Sequence, residues 1–132
     1  MTNYRGSCHC NAVRFEADFE LADGTVRCNC SICSKTRWWG AMIAPAQVRL
    51  LAGDDALTQY TFASHQQRHQ FCRHCGVRMF EFGRSPLRGD FVALNVMALD
   101  GVPDEVLAAV PIRYLDGRDE RWLDAPAVTA HL

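Results

Sequence analysis

A mainly β fold is what this sequence predicts, on three observations. Residues Val13 to Phe19 alternate strictly, with Val13, Phe15, Ala17 and Phe19 on one face and Arg14, Glu16 and Asp18 on the other. That period of two marks a half-buried strand. The later apolar runs are short and are separated by Gly, Pro, Asn or Asp turn signals. Only two segments read as helix, and both are brief.

In chain order, Leu21 to Thr25 is a turn that leads into a strand over Val26 to Asn29. Ser31 to Thr36 predicts a short helix, capped by Ser31 or Asn29. Trp39 to Ala44 and Val48 to Leu51 read as strands, broken by Pro45. Asp54-Asp55 marks a turn. Strands follow at Gln59 to Phe62, His69 to Cys72, Arg78 to Phe82 and Phe91 to Leu99. Pro103 to Ala109 predicts a second short helix with Asp104 near its start. Pro111 to Leu115 is a last strand before a turn at Asp116-Gly117.

A length of 132 residues suits one domain over residues 1–132, and a chain of that size can bury a core without staples. The formal net charge is −1, with Lys and Arg scattered, so no polybasic footprint for nucleic acid stands out. No apolar run reaches the roughly 20 residues of a membrane span, and residues 1–7 lack the apolar stretch of a signal peptide. The expectation is a cytoplasmic protein that binds neither membrane nor nucleic acid. In that setting an odd number of cysteines, seven, argues against a disulfide framework and for metal ligation.

The cysteines form three clusters: Cys8-His9-Cys10, Cys28-Asn29-Cys30-Ser31-Ile32-Cys33, and Cys72-Arg73-His74-Cys75. Cys72-x-x-Cys75-Gly76 is a zinc-knuckle signature, with Gly76 free to take the conformation that turns amides toward the sulfurs. A CxxC is also a redox motif, but no βαβ pattern surrounds this one. Cys8 and Cys10, if on a strand, share a face. These two pairs supply four thiolates, enough to close a tetrahedral zinc shell. Cys28, Cys30 and Cys33 would hold a second zinc with one position open. Closed sites are structural, whereas open ones can do chemistry. Spacing alone leaves other groupings open, including the middle cluster with Cys72 and Cys75. It also leaves open a fourth ligand from His9, His65, His69 or His74.

The chain resembles the glutathione-dependent formaldehyde-activating enzyme family, which includes centromere protein V. The matching residues are Gly6-Ser7-Cys8-His9-Cys10 with Ala12-Val13-Arg14-Phe15, then Cys28-Asn29-Cys30-Ser31-Ile32-Cys33, then Phe71-Cys72-Arg73-His74-Cys75-Gly76. Asn95-Val96, Leu99-Asp100-Gly101 and Asp116-Gly117 are also similar, so the likeness runs from about residue 4 to residue 118. The resemblance implies a β-tent fold of several short coiled antiparallel sheets with two zinc ions per chain. It implies a structural zinc on Cys8, Cys10, Cys72 and Cys75 and a catalytic zinc on Cys28, Cys30 and Cys33. One departure is Asn11, where Gly is common in the family; Asn also visits left-handed backbone.

The activity so implied is carbon–sulfur lyase chemistry, in which glutathione and formaldehyde combine as S-hydroxymethylglutathione. Lys35, Arg37, Arg73 and His74 are candidate partners for the anionic thiol because they flank the cysteine clusters. Trp38 or Trp39 is a candidate pocket wall, and Asn95 a polar neighbour by resemblance. The alternative is a non-catalytic zinc module that binds a protein partner. A B-type methionine sulfoxide reductase is set aside because no cysteine follows Cys75.

Overall fold

Alternation of apolar and polar residues builds the smaller of two sheets. In the computed structural model, which describes residues 1–132, strand β2 (Arg14–Phe19) buries Phe15, Ala17 and Phe19. It lies between β1 (Thr2–Ser7) and β5 (Val48–Ala52), antiparallel to both. On the outer face Arg49 reaches Glu16 at 2.9 Å and Asp18 at 2.8 Å. Such exposed pairs contribute about 0–1 kcal/mol each, so burial of the inner face holds this sheet. Strand β1 is absent from the sequence reading because Thr-Asn-Tyr-Arg-Gly-Ser carries no apolar alternation. Only Gly6 in it is buried, and any side chain there would collide with the Phe15 ring.

The larger sheet has the order β10-β3-β4-β9-β8-β7-β6. Its members are β3 (Thr25–Cys28), β4 (Trp39–Ile43), β6 (Leu57–Tyr60), β7 (Arg68–Cys72), β8 (Arg78–Ser85), β9 (Gly89–Asn95) and β10 (Ile112–Leu115). All neighbours are antiparallel except β10, which runs parallel to β3 with Leu115 opposite Cys28. Helices α1 (Ser31–Thr36) and α2 (Asp104–Ala108) are both short. The expected mainly β architecture with antiparallel sheets and two short helices is what the chain adopts, with this one parallel pair added.

Several boundaries differ from the sequence reading for local reasons. Strand β9 stops at Asn95 rather than Leu99. The Asn95 side-chain oxygen accepts the Met97 N–H at 3.0 Å and caps a 3-10 turn over Val96–Ala98. Strand β6 begins two residues earlier than expected, and the chain leaves the sheet after Tyr60 through positive-φ residues Ala63 and His65. The N-cap of α1 is Cys30, not Ser31 or Asn29, and no side chain caps it.

The two sheets share a core around Phe15, Leu21, Met79, Val92 and Leu94. Phe15 of the small sheet meets Phe80 of the large one edge-on, with ring centroids 5.1 Å apart. A second, smaller cluster of Cys28, Cys33, Trp38, Phe91, Ala93 and Leu115 packs on the other part of the large sheet. Phe15 is fully buried, so Phe15→Ala leaves a cavity where the sheets meet. We expect it to destabilise the chain by about 3–5 kcal/mol, read as a lowered midpoint in denaturant unfolding.

Candidate metal centres and their surroundings

Two hairpin tips carry the first group of thiols. The β1–β2 tip holds Cys8 and Cys10, and the β7–β8 tip holds Cys72 and Cys75. The two tips are alike. In one, Cys8 N–H donates to Val13 O at 3.0 Å; in the other, Cys72 N–H donates to Val77 O at 3.0 Å. Each tip places a positive-φ residue after its second cysteine: Asn11 at 68° and Gly76 at 77°. Cys8 and Cys10 thus sit on a turn, not on a strand as the i, i+2 argument assumed.

The four sulfurs lie within 4.8 Å of one another. Cys8–Cys10 measures 3.6 Å and Cys10–Cys72 3.7 Å. A disulfide would require about 2.05 Å. Zinc bonded to sulfur at about 2.3 Å in a tetrahedron has sulfur–sulfur edges of about 3.8 Å. The donor set and its spacing therefore fit zinc. Backbone amides add support, with Val13 N–H donating to Cys8 Sγ at 3.3 Å. The Val77 N–H, foremost, holds the Cys75 thiol down to about 6.

Cys28, Cys30 and Cys33 form the second group, again with sulfurs within 4.8 Å. Cys28 ends β3, Cys30 caps α1, and Cys33 lies in the helix, so one reversal of the chain gathers all three. Cys30 N–H donates to Cys28 Sγ at 3.4 Å. The neighbouring Cys28 and Cys33 thiols hold the Cys30 thiol down to about 2, while Cys28 and Cys33 are themselves pushed up. Neither a histidine nor a carboxylate joins this group. Of the histidines considered as a fourth ligand, His65 pairs with Thr61 and His69 takes a hydrogen bond from Arg78, while His9 and His74 belong to neither group.

The C-terminal part of the chain closes around this triad. Asn29 donates to Asp116 at 2.8 Å, and Arg118 N–H donates back to Asn29 Oδ1 at 2.9 Å. Gly117 presses so close that a Cβ there would stand 2.6 Å from Cys28 Sγ. On the other side lies Arg78. Its guanidinium sits 4.1 Å over the Trp38 ring and donates to Thr36 Oγ1 at 2.8 Å and to His69 Nδ1 at 2.9 Å. With Nδ1 accepting, neutral His69 carries its proton on Nε2. Burial, then Arg78, lowers the His69 pKa and keeps that ring neutral. Glu81, paired across the strands with His69, is buried too.

A cavity of about 300 Å³ is lined by Thr36, Arg37, Trp38, Trp39, Arg78 and Asn95, with Gly76 at its edge. Of the residues put forward from sequence for the thiol and its pocket, Arg37, Trp38, Trp39 and Asn95 come together here. Lys35, Arg73 and His74 are exposed elsewhere. Both tryptophans are buried: Trp39 donates to Thr25 at 2.7 Å, and Trp38 packs on the triad. A larger groove of about 370 Å³, between Phe19 and Arg113, contains no cysteine. Sequence reasoning missed Arg78 and Glu81, whose relation to the triad arises from cross-strand register and leaves no local pattern.

Residues 3–114 match the family model described as glutathione-dependent formaldehyde-activating enzyme. A crystal structure of a Rhodobacter sphaeroides protein is similar to this chain, at 30% identity and a TM-score of 0.70. The match covers 83% of this chain and 99% of that one.

Burial pushes the Glu81 carboxyl up from an ordinary 4.5 to about 7, against the opposing pull of Arg78. The folded protein therefore holds this proton longer than the unfolded chain does. The stability tied to that proton is full below pH 4.5 and is lost as pH rises to about 7. We expect Glu81→Gln to raise the melting temperature above pH 7, by an amount on the order of 3 kcal/mol in stability. The advantage should shrink below pH 5; a difference constant across pH would contradict this account.

Proposed function

This chain belongs to the glutathione-dependent formaldehyde-activating enzyme family, and from that premise we propose that it is a zinc-dependent carbon–sulfur lyase. Its substrates are a small anionic thiol, glutathione or a close analogue, and a small aldehyde such as formaldehyde. In the forward direction the thiol sulfur bonds to the carbonyl carbon. The thiol proton ends on the carbonyl oxygen, giving S-hydroxymethylglutathione in the formaldehyde case. Cleavage is the reverse. Cys8, Cys10, Cys72 and Cys75 hold a structural zinc, and Cys28, Cys30 and Cys33 hold a catalytic one.

The observation that carries this reading is the unequal division of the sulfurs. Four lie together on hairpin tips, whereas three lie together with no fourth protein donor beside them. A zinc ion on the three would ionise an incoming thiol and polarise an aldehyde carbonyl. A free thiol with pKa near 8.5 is about 3% thiolate at pH 7, so ionisation alone supplies at most about 30-fold. Positioning must supply the rest. Arg37, Thr36 and Asn95 around the neighbouring cavity are suited to the carboxylates and amides of glutathione. Trp38 and Phe91, packed on the triad, keep water from its buried side. Seven free thiols suit a reducing compartment, in keeping with a cytoplasmic setting.

Metal counting tests the assignment. We expect two zinc ions per chain in the wild type. Cys30→Ser should retain one zinc and the melting temperature while losing activity. Cys72→Ser should lose the fold, because a structural zinc contributes about 10–16 kcal/mol in small peptides, against a whole-domain stability of about 5–15 kcal/mol. A single zinc that glutathione does not perturb would favour a non-catalytic binding module instead.

A further inference from the structure

Three buried side-chain atoms in this chain have no hydrogen-bond partner: Trp38 Nε1, His69 Nε2 and Arg78 Nε. Arg78 touches the other two side chains, lying over the Trp38 ring and donating to His69. All three are donors, given the His69 tautomer that Arg78 imposes. A buried donor without an acceptor is costly, so a cluster of them points to an acceptor or negative charge that completes the site. Two sources of negative charge lie within electrostatic reach of Arg78: the cysteine triad and the Glu81 carboxyl. Trp38 shares one apolar cluster with Cys28 and Cys33, Thr36 follows Cys33 on the same helix, and Arg78 lies within electrostatic reach of both Cys33 and Cys30.

Charge bookkeeping then defines the task. A divalent ion with three thiolates carries −1, and an exogenous thiolate would bring the centre to −2. The four-cysteine group reaches the same −2, but Cys10 is exposed and water can screen it. The triad has less of that relief, since Cys28 and Cys33 are buried and Cys30 is half-buried. A buried −2 without a countercharge is strongly disfavoured. Glu81 makes no hydrogen bond or salt bridge with the guanidinium, and burial favours its neutral carboxyl, so the thiolates are the partners that carry charge.

We propose that Arg78 is the countercharge of the three-cysteine centre, and that its half-buried guanidinium is what allows that centre to accept a fourth, exogenous thiolate. It is a positioning residue: it acts on the thiolates, not on the carbon that reacts. His69 and Thr36 hold its two terminal nitrogens in place, and the Trp38 face supports it from one side. The inference rests on the reading of the triad as a zinc site, but it makes a separate claim about charge.

The test compares wild type with Arg78→Met, which removes the charge at similar length, and Arg78→Lys, which restores it. Two quantities are read. One is the rate at which each zinc passes to a chelator; the other is glutathione affinity of cobalt-substituted protein, followed by sulfur-to-cobalt charge-transfer absorption. In R78M the triad metal should be lost about 10-fold faster or more, with glutathione bound about 10-fold more weakly, while the four-cysteine metal is unchanged. R78K should recover both to within about threefold of wild type. Wild-type values in R78M, or R78K as impaired as R78M, would overturn the proposal. Should R78M fail to fold, Arg78→Gln, which donates without charge, is read in its place. A wild type that binds no glutathione would defeat the lyase reading, whereas the metal-release rates would still decide the role of Arg78.

Discussion

The structure hangs on four sulfurs that join the tips of two hairpins. One hairpin belongs to the three-stranded sheet and the other to the seven-stranded sheet. The apolar core between the sheets, with Phe15 against Phe80, attracts them without fixing how their ends meet. The thiol group fixes that meeting point. Four thiolates within 4.8 Å of each other repel unless a cation or protons neutralise them. The geometry of these tips is therefore stable in the ionised form only with a cation among them. The strand that bears Arg78 leaves directly from this junction and pairs back onto β7.

The triad is organised on the opposite plan. Its three sulfurs come from six consecutive residues, so the local chain alone can assemble them. What the fold adds is the surroundings: the β10 segment and its Asn29–Asp116 contact on one side, Arg78 and Trp38 on the other, and an arginine-bearing cavity beside them. One group thus joins two sheets, while the fold surrounds the other with an arginine and an apolar wall. That asymmetry is a physical basis for giving them different tasks.

Much of this was legible in the sequence because it is local. The alternation from Val13 to Phe19 and the helix over Ser31 to Thr36 both follow from short-range pattern, and the cysteine clusters announce themselves by spacing. What was hidden depends on partners distant in sequence. Strand β1 is polar and exists because β2 pairs with it and Phe15 covers Gly6. The placing of Cys8 and Cys10 on a turn follows from that same hairpin. Strand β10 lies parallel to β3 across nearly ninety residues, and no local signal declares direction. Arg78 reads as one more scattered cation until the register of β7 and β8 sets it beside His69.

The separation of Cys10 from Cys72 by 62 positions has a consequence for how the protein is made. Closing that loop costs about 2 kcal/mol more than closing the triad's short one, because closure entropy grows with the logarithm of length. On a ribosome, Cys8 through Cys33 emerge well before Cys72. For that interval five cysteines are available to metal and only the triad can gather its own full set. With metal at both groups, the spacing would set the order of capture: the local group would load first, and the junction between the sheets would close last.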